Sequence, residues 1–129
     1  MWEEKLKIYD DIISRCPRFH RKGKRVPYTS ANWYMFSILN KEGELGIRFS
    51  KDVQEQYMQE LDTTVFKSHG ATMRGYILIP DTMMGDRDRV AAWLDESYDY
   101  VMTLEPKKER WSTVVITAKS YKIIRNKVI

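Results

Sequence analysis

Residues 32–39 read NWYMFSIL and residues 44–49 read ELGIRF, two runs rich in the aromatic and aliphatic side chains that suit a half-buried pleated surface. Asn40-Lys41-Glu42-Gly43 lies between them and supplies turn formers, so the stretch predicts a β-hairpin. An isolated hairpin is marginal in water and must bury one face against other elements. Upstream, Trp2, Leu6, Tyr9, Ile13 and Cys16 recur at helical spacing, which predicts an amphipathic helix ended by Pro17. Glu3 and Glu4 in its first turn and Arg15 in its last complement the helix dipole. Downstream, Ser50 is a candidate N-cap, with Asp52 in the first turn and an apolar face of Val53, Tyr57 and Leu61.

Residues 63–66 and 71–79 read as extended, divided by Ser68-His69-Gly70 and closed by Pro80. From Asp86, an available N-cap, the set Val90, Trp93, Leu94, Ser97, Tyr98, Val101 and Leu104 follows the helical period to Glu105-Pro106. Residues 18–30 read as a loop, with Gly23, Pro27 and clustered charge against any regular element. Residues 112–118, STVVITA, have strand composition. Strands and helices do not alternate regularly enough for a doubly wound parallel sheet. The expectation is an α+β fold, an antiparallel sheet with helices packed on one face.

At 129 residues the chain is of single-domain size, and its 43% hydrophobic content is enough to fold rather than remain disordered. Its longest apolar stretch, residues 90–94, falls far short of the roughly 18 residues that cross a bilayer. Glu3 and Glu4 stand where a signal peptide carries cations, so the expected location is the cytoplasm, with no membrane partner. The one cysteine, Cys16, can make no internal disulfide and no half of a tetrahedral zinc site.

The net charge of +4 conceals a segregation. Residues 15–25 carry +6 with no acid, residues 106–129 carry another +6, and the remainder is left at −8. Such asymmetry marks either a polyanion-binding face or charge neutralised within the fold, and the second reading weighs more. His20 and His69, the only imidazoles, sit in no ligand or triad spacing. Cys16 could pair with either for nucleophilic work, but its place on an apolar helix face favours a small core residue. Gly43-x-x-Gly46 lies in a hairpin, without the strand-to-helix context of a phosphate loop. Asp95, Glu96 and Asp99 fall on an outward helix face, where solvation explains them. No cofactor or metal site is expected.

Several stretches together resemble one family. These are Lys22-Gly23-Lys24-Arg25-Val26-Pro27-Tyr28-Thr29-Ser30, residues 32–36, Leu45-Gly46-Ile47-Arg48, Met73-x-x-Tyr76-x-x-x-Pro80, and Ser97-Tyr98-x-Tyr100-Val101-x-x-Leu104-x-Pro106-Lys107. In this order they resemble the N-terminal domain of the TfoX/Sxy family of bacterial proteins. The resemblance covers residues 1–107 and implies an α+β domain akin to the YjbR-like group of folds, with no enzymatic activity. Longer family members, the regulators of natural competence, carry a second helical domain. Here residues 108–129 form only a basic extension, with one candidate strand to add to a sheet edge within the chain or across a homodimer.

The expectation is therefore a non-catalytic regulatory or protein-interaction module. The alternative is a nucleic-acid-binding protein using the basic loop and basic tail. The candidate surface is Arg18, Arg21, Lys22, Lys24, Arg25, Tyr28 and Trp33, with Trp33 expected on a strand face opposite Tyr34 and Phe36.

Overall fold

The hydrophobic periods read from the chain become three α-helices and five strands in the computed structural model, which describes residues 2–106. The order is α1 (Trp2–Ser14), β1 (Tyr28–Ala31), β2 (Tyr34–Leu39), β3 (Leu45–Arg48), α2 (Lys51–Glu60), β4 (Val65–Ser68), β5 (Ala71–Leu78) and α3 (Arg87–Met102). All neighbours in the sheet, ordered β1-β2-β3-β5-β4, are antiparallel. The fold is α+β, as expected. The candidate strand at 112–118 lies outside the described residues.

One face of the sheet carries the main core. Tyr9, Ile12 and Ile13 from α1 and Val90, Leu94 and Val101 from α3 pack on Phe36, Leu39, Leu45, Ile47 and Ile77, and Val53, Tyr57 and Met58 of α2 join with Leu61, its C-cap. Ser50 caps α2, its hydroxyl accepting from the Val53 N–H at 3.4 Å. Asp86 occupies the N-cap position of α3, but its side chain caps nothing. Helix α1 stops at Ser14, so Arg15 stands just past its last turn, pairing with Asp11 and with Asp88 at the start of α3.

Phe36 and Ser37 are consecutive, yet both address the helices. The β1–β2 register slips between Thr29↔Ser37 and Ser30↔Met35, leaving Phe36 as the extra residue of a β-bulge. The bulge resets the alternation, so Phe36, Ser37 and Leu39 point to the main core while Met35 and Ile38 point away. Ser37 then joins a buried chain of hydroxyls, with Tyr9 Oη and Thr29 Oγ1 each 2.5 Å from its Oγ. Burial pushes the Tyr9 phenol well above its ordinary range.

The other face holds a second, smaller core of Ile38, Phe66 and Tyr76, flanked by Val26, Tyr28, Met35, Met73 and Leu78. The β4–β5 ribbon curls over this face: Asn40 Nδ2 donates to Lys67 O at 3.1 Å, and a Cβ at Gly46 of β3 would stand 2.4 Å from the Phe66 ring. The curl follows from a register jump on β5 between Val65↔Ile77 and Lys67↔Thr72, where Gly75 adopts φ +85.

Candidate functional site

Part of residues 18–30 is regular structure rather than loop. Tyr28, Thr29 and Ser30 belong to β1, and Lys22 forms an isolated bridge to Tyr28. Pro27 and the clustered charge ahead of them hide so short a strand, which forms because β2 presents a partner edge. Gly23 closes the bridge at φ +84, where a Cβ would meet Val26 O at 2.2 Å. The basic segment is thus a tight, folded-back turn.

The structure divides the cations of that segment into two sets. Arg18 bonds Asp99 at 2.8 Å and Asp95 at 3.2 Å across to α3, its guanidinium 4.4 Å from the Tyr98 ring centre. Arg21 forks onto Asp10 of α1 at 2.8 and 3.2 Å and donates to Gly23 O. These two arginines pin the segment to the helices. Asp95 and Asp99 accordingly serve as its anchors and are not simply solvated. Glu96 is also engaged, accepting from Tyr57 Oη at 2.6 Å. Burial, reinforced by that carboxylate, pushes the Tyr57 phenol up to about 12.

Lys22 donates to Ser30 Oγ at 3.0 Å. Lys24 and Arg25 are exposed and line a depression with Trp2 and Lys41, so three cations gather at one end of the sheet, beside the β2–β3 turn. Tyr28 is half-buried in the second core and offers only part of its ring.

Trp33 is not on a strand face. Ala31 and Tyr34 pair directly, so Asn32 and Trp33 form the two-residue loop of the β1–β2 hairpin, with φ of 54° and 70°. Positive φ at both central residues matches the right-handed twist of the strands. Asparagine tolerates this conformation, but tryptophan rarely does, so no sequence signal marks the turn. Asn32 Nδ2 donates to both Val101 O and Leu104 O at 2.8 Å, and Tyr34 Oη donates to Glu105 O, which straps the turn to the end of α3. Trp33 is left 61% exposed, and Met102 of α3, which sequence reasoning missed, is 48% exposed. They are the exposed large hydrophobic side chains among the described residues. The length of β1, at about 3.3 Å per residue, sets Trp33 apart from Lys24 and Arg25. The proposed surface is therefore two surfaces at opposite ends of one hairpin.

Cys16 is 2% exposed, its thiol directed at Ile12 O and Ala91 O, and burial pushes it up to about 11. His20 lines the same surface depression, which is also bordered by Asp10 and Arg21, but the thiol's hydrogen bonds go to backbone carbonyls. His69 sits with Gly70 in the two-residue turn between β4 and β5, both at positive φ. Among the described residues no group of three or more His, Cys, Asp or Glu side chains could hold a metal ion, and no helix is long and apolar enough to cross a membrane. Sequence reasoning also missed a second cationic site, Arg48, Lys51 and Arg74, which three separate elements bring together. No protein-family model, no curated protein and no solved structure matches the chain.

Proposed function

We propose that this chain is a non-catalytic interaction module, similar to the TfoX/Sxy N-terminal domain, that engages a protein partner through the turn carrying Trp33. The observation that supports this reading is the cost of that turn. A left-handed backbone costs a bulky residue on the order of 1–2 kcal/mol, and glycine would remove it. Here the strain is spent holding a tryptophan out of the core, and strain retained where structure gains nothing is a mark of a functional position. Tryptophan is also the residue type most enriched at the energetic centres of protein interfaces. The resemblance, carried by residues 22–30, 45–48, 73–80 and 97–107, supports the regulatory part of the reading and a bacterial cytoplasmic setting.

A photo-crosslinking residue at position 33, compared with one at the exposed Lys67 on the far side of the sheet, tests it in cells. One discrete adduct from position 33 and none from position 67 is expected, and an adduct of twice the chain mass identifies a homodimer. No adduct, or the same adducts from both positions, overturns the proposal.

A second reading is favoured by one observation, the cluster of Lys24, Arg25 and Lys41 left over after Arg18 and Arg21 are used internally. If these three meet nucleic-acid phosphates, affinity falls about 40-fold between about 50 and 200 mM salt. Fluorescence anisotropy with duplex and single-stranded oligonucleotides, beside a Lys24→Glu/Arg25→Glu variant, reads this directly. Salt-independent binding, or none at low salt, removes the nucleic-acid reading.

A further inference from the structure

We propose that a cleft at the end of β3 binds the phosphate group of a small phosphorylated molecule, with Arg48, Lys51 and Arg74 as its cationic contacts. The inference is independent of the Trp33 reading, because it rests on other residues. The cleft, about 400 Å³ in volume, is lined by Arg48, Phe49, Lys51, Gln54, Arg74, Gly75 and Tyr100. It has three cations and no acid. Outside residues 15–25 and 106–129 the chain has nine cations and a net charge of −8, so three of those nine gathered around one cleft stand against the local charge balance. Five of the twelve other arginines and lysines among the described residues, Lys5, Arg15, Arg18, Arg21 and Arg87, each hold an aspartate. Among the described residues none of Arg48, Lys51 and Arg74 has a carboxylate within ion-pair reach.

Arg48 is the best-positioned of the three. It is half-buried, and its Nε is sealed from solvent with no hydrogen-bond partner. Its guanidinium lies 5.3 Å from the Tyr34 ring centre and 5.8 Å from that of Tyr100, within cation–π range of both. The backbone fixes it further, since Ser97 Oγ donates to Arg48 O and Phe49 N donates to Gly75 O at 3.0 Å. A sealed donor nitrogen without a partner is costly, and an anion drawn to the half-buried guanidinium offsets part of that cost. Arg74 lines the same cleft from β5, next to Gly75 at φ +85. Lys51 begins α2, whose dipole adds in the same sense.

The charge count selects the ligand. A carboxylate brings one negative charge, whereas a phosphate monoester brings about −1.5 to −2 at neutral pH and three strong acceptor oxygens, a better match to three cations. The volume lies in the range of small-molecule pockets, so an organic group fits beside the phosphate, with the Tyr100 ring as a wall.

The test is a calorimetric titration of the full chain with AMP, with ribose 5-phosphate and with adenosine. Both phosphorylated probes bind saturably and adenosine does not. AMP tighter than ribose 5-phosphate assigns a stacked ring to Tyr100, and equal affinities assign the contact to the phosphate alone. Lys51→Gln and Arg74→Gln each weaken binding by about tenfold, since each removes one charge-assisted contact. Both residues are exposed, so thermal melts confirm intact variants, and Lys67→Gln on the far ribbon leaves affinity unchanged. Failure of both phosphorylated probes to bind, adenosine binding as well as AMP, or wild-type affinity in both glutamine variants overturns the proposal.

Discussion

Replacing Gly46 by alanine adds one methyl group and is expected to strike the second core as hard as a much larger change. The Cβ would stand 2.4 Å from both Phe66 Cγ and Cδ2 and 2.8 Å from Cδ1, with fully buried Phe66 held beneath the curled β4–β5 ribbon. Ordinary carbon contacts begin near 3.5 Å, so the ring must retreat by about 1 Å and take the ribbon with it. Overpacking of this kind costs about 1–3 kcal/mol. The backbone itself does not object, because Gly46 is not among the residues with positive φ. Removing the obstacle should therefore reverse the sign. In a Phe66→Ala background, itself down by about 3 kcal/mol, Gly46→Ala becomes stabilising by about 0.5 kcal/mol through loss of unfolded-state freedom. The double-mutant cycle then shows a coupling of about 2 kcal/mol. Urea unfolding of the four proteins measures it, with midpoints read at constant slope. A neutral Gly46→Ala, or additive effects in the double variant, refutes the contact and with it the curled-ribbon account of the far face.

Trp33→Gly gives the Asn-Gly pair that such turns favour, so melting is expected to show a protein as stable or more stable by about 1 kcal/mol, while crosslinking or partner binding at that turn is lost. A melt lowered by several degrees would show that Trp33 serves packing instead. Stability is also expected to fall in alkali. Burial raises the phenols of Tyr9 and Tyr76, and raises Tyr57 to about 12, above the ordinary 10.0, so the unfolded chain ionises first and stability present below pH 10 is lost as pH rises toward 12. Tyrosinate absorbance that develops fully before far-UV ellipticity is lost would contradict this. Cys16, sealed and raised to about 11, is expected to resist a disulfide reagent at pH 8 in the native protein and to react in denaturant. Rapid stoichiometric labelling of the folded chain would place the thiol at the surface.

Helices α1 and α3 were legible from periodicity because each buries a stripe repeated over several turns, and α2 from the half-buried Val53 and Tyr57 behind its Ser50 cap, all of them local signals. The β2–β3 hairpin was legible for the same reason. Strand β1 was not, since Tyr28–Ala31 is only four residues long behind Pro27 and a charged run, and it takes its conformation from the bulged partner across from it. The Trp33 turn was misread as strand because an aromatic residue argues for a pleat, and only the pairing of Ala31 with Tyr34 overrides that preference. Lys24 and Arg25 were visible as charge, but which cations of the segment stay free depended on aspartates in α1 and α3. The Arg48, Lys51 and Arg74 cleft left no trace in the linear order. Its members come from a strand end, a helix start and a bulge, and only the β3–β5 pairing at Arg48↔Tyr76 brings them together.

That same pairing divides the sheet into two parts with different folding demands. β1, β2 and β3 form a meander, and β4 with β5 forms a hairpin, so every strand contact except β3–β5 joins neighbours in the chain. Short loops close quickly and distant ones slowly. The rate of refolding is therefore set by one long closure across α2, assisted by α1 meeting α3, and changes at Ile47 or Ile77, which pair across β3–β5, should slow folding while changes in β1 or β4, which pair only with a chain neighbour, mainly hasten unfolding.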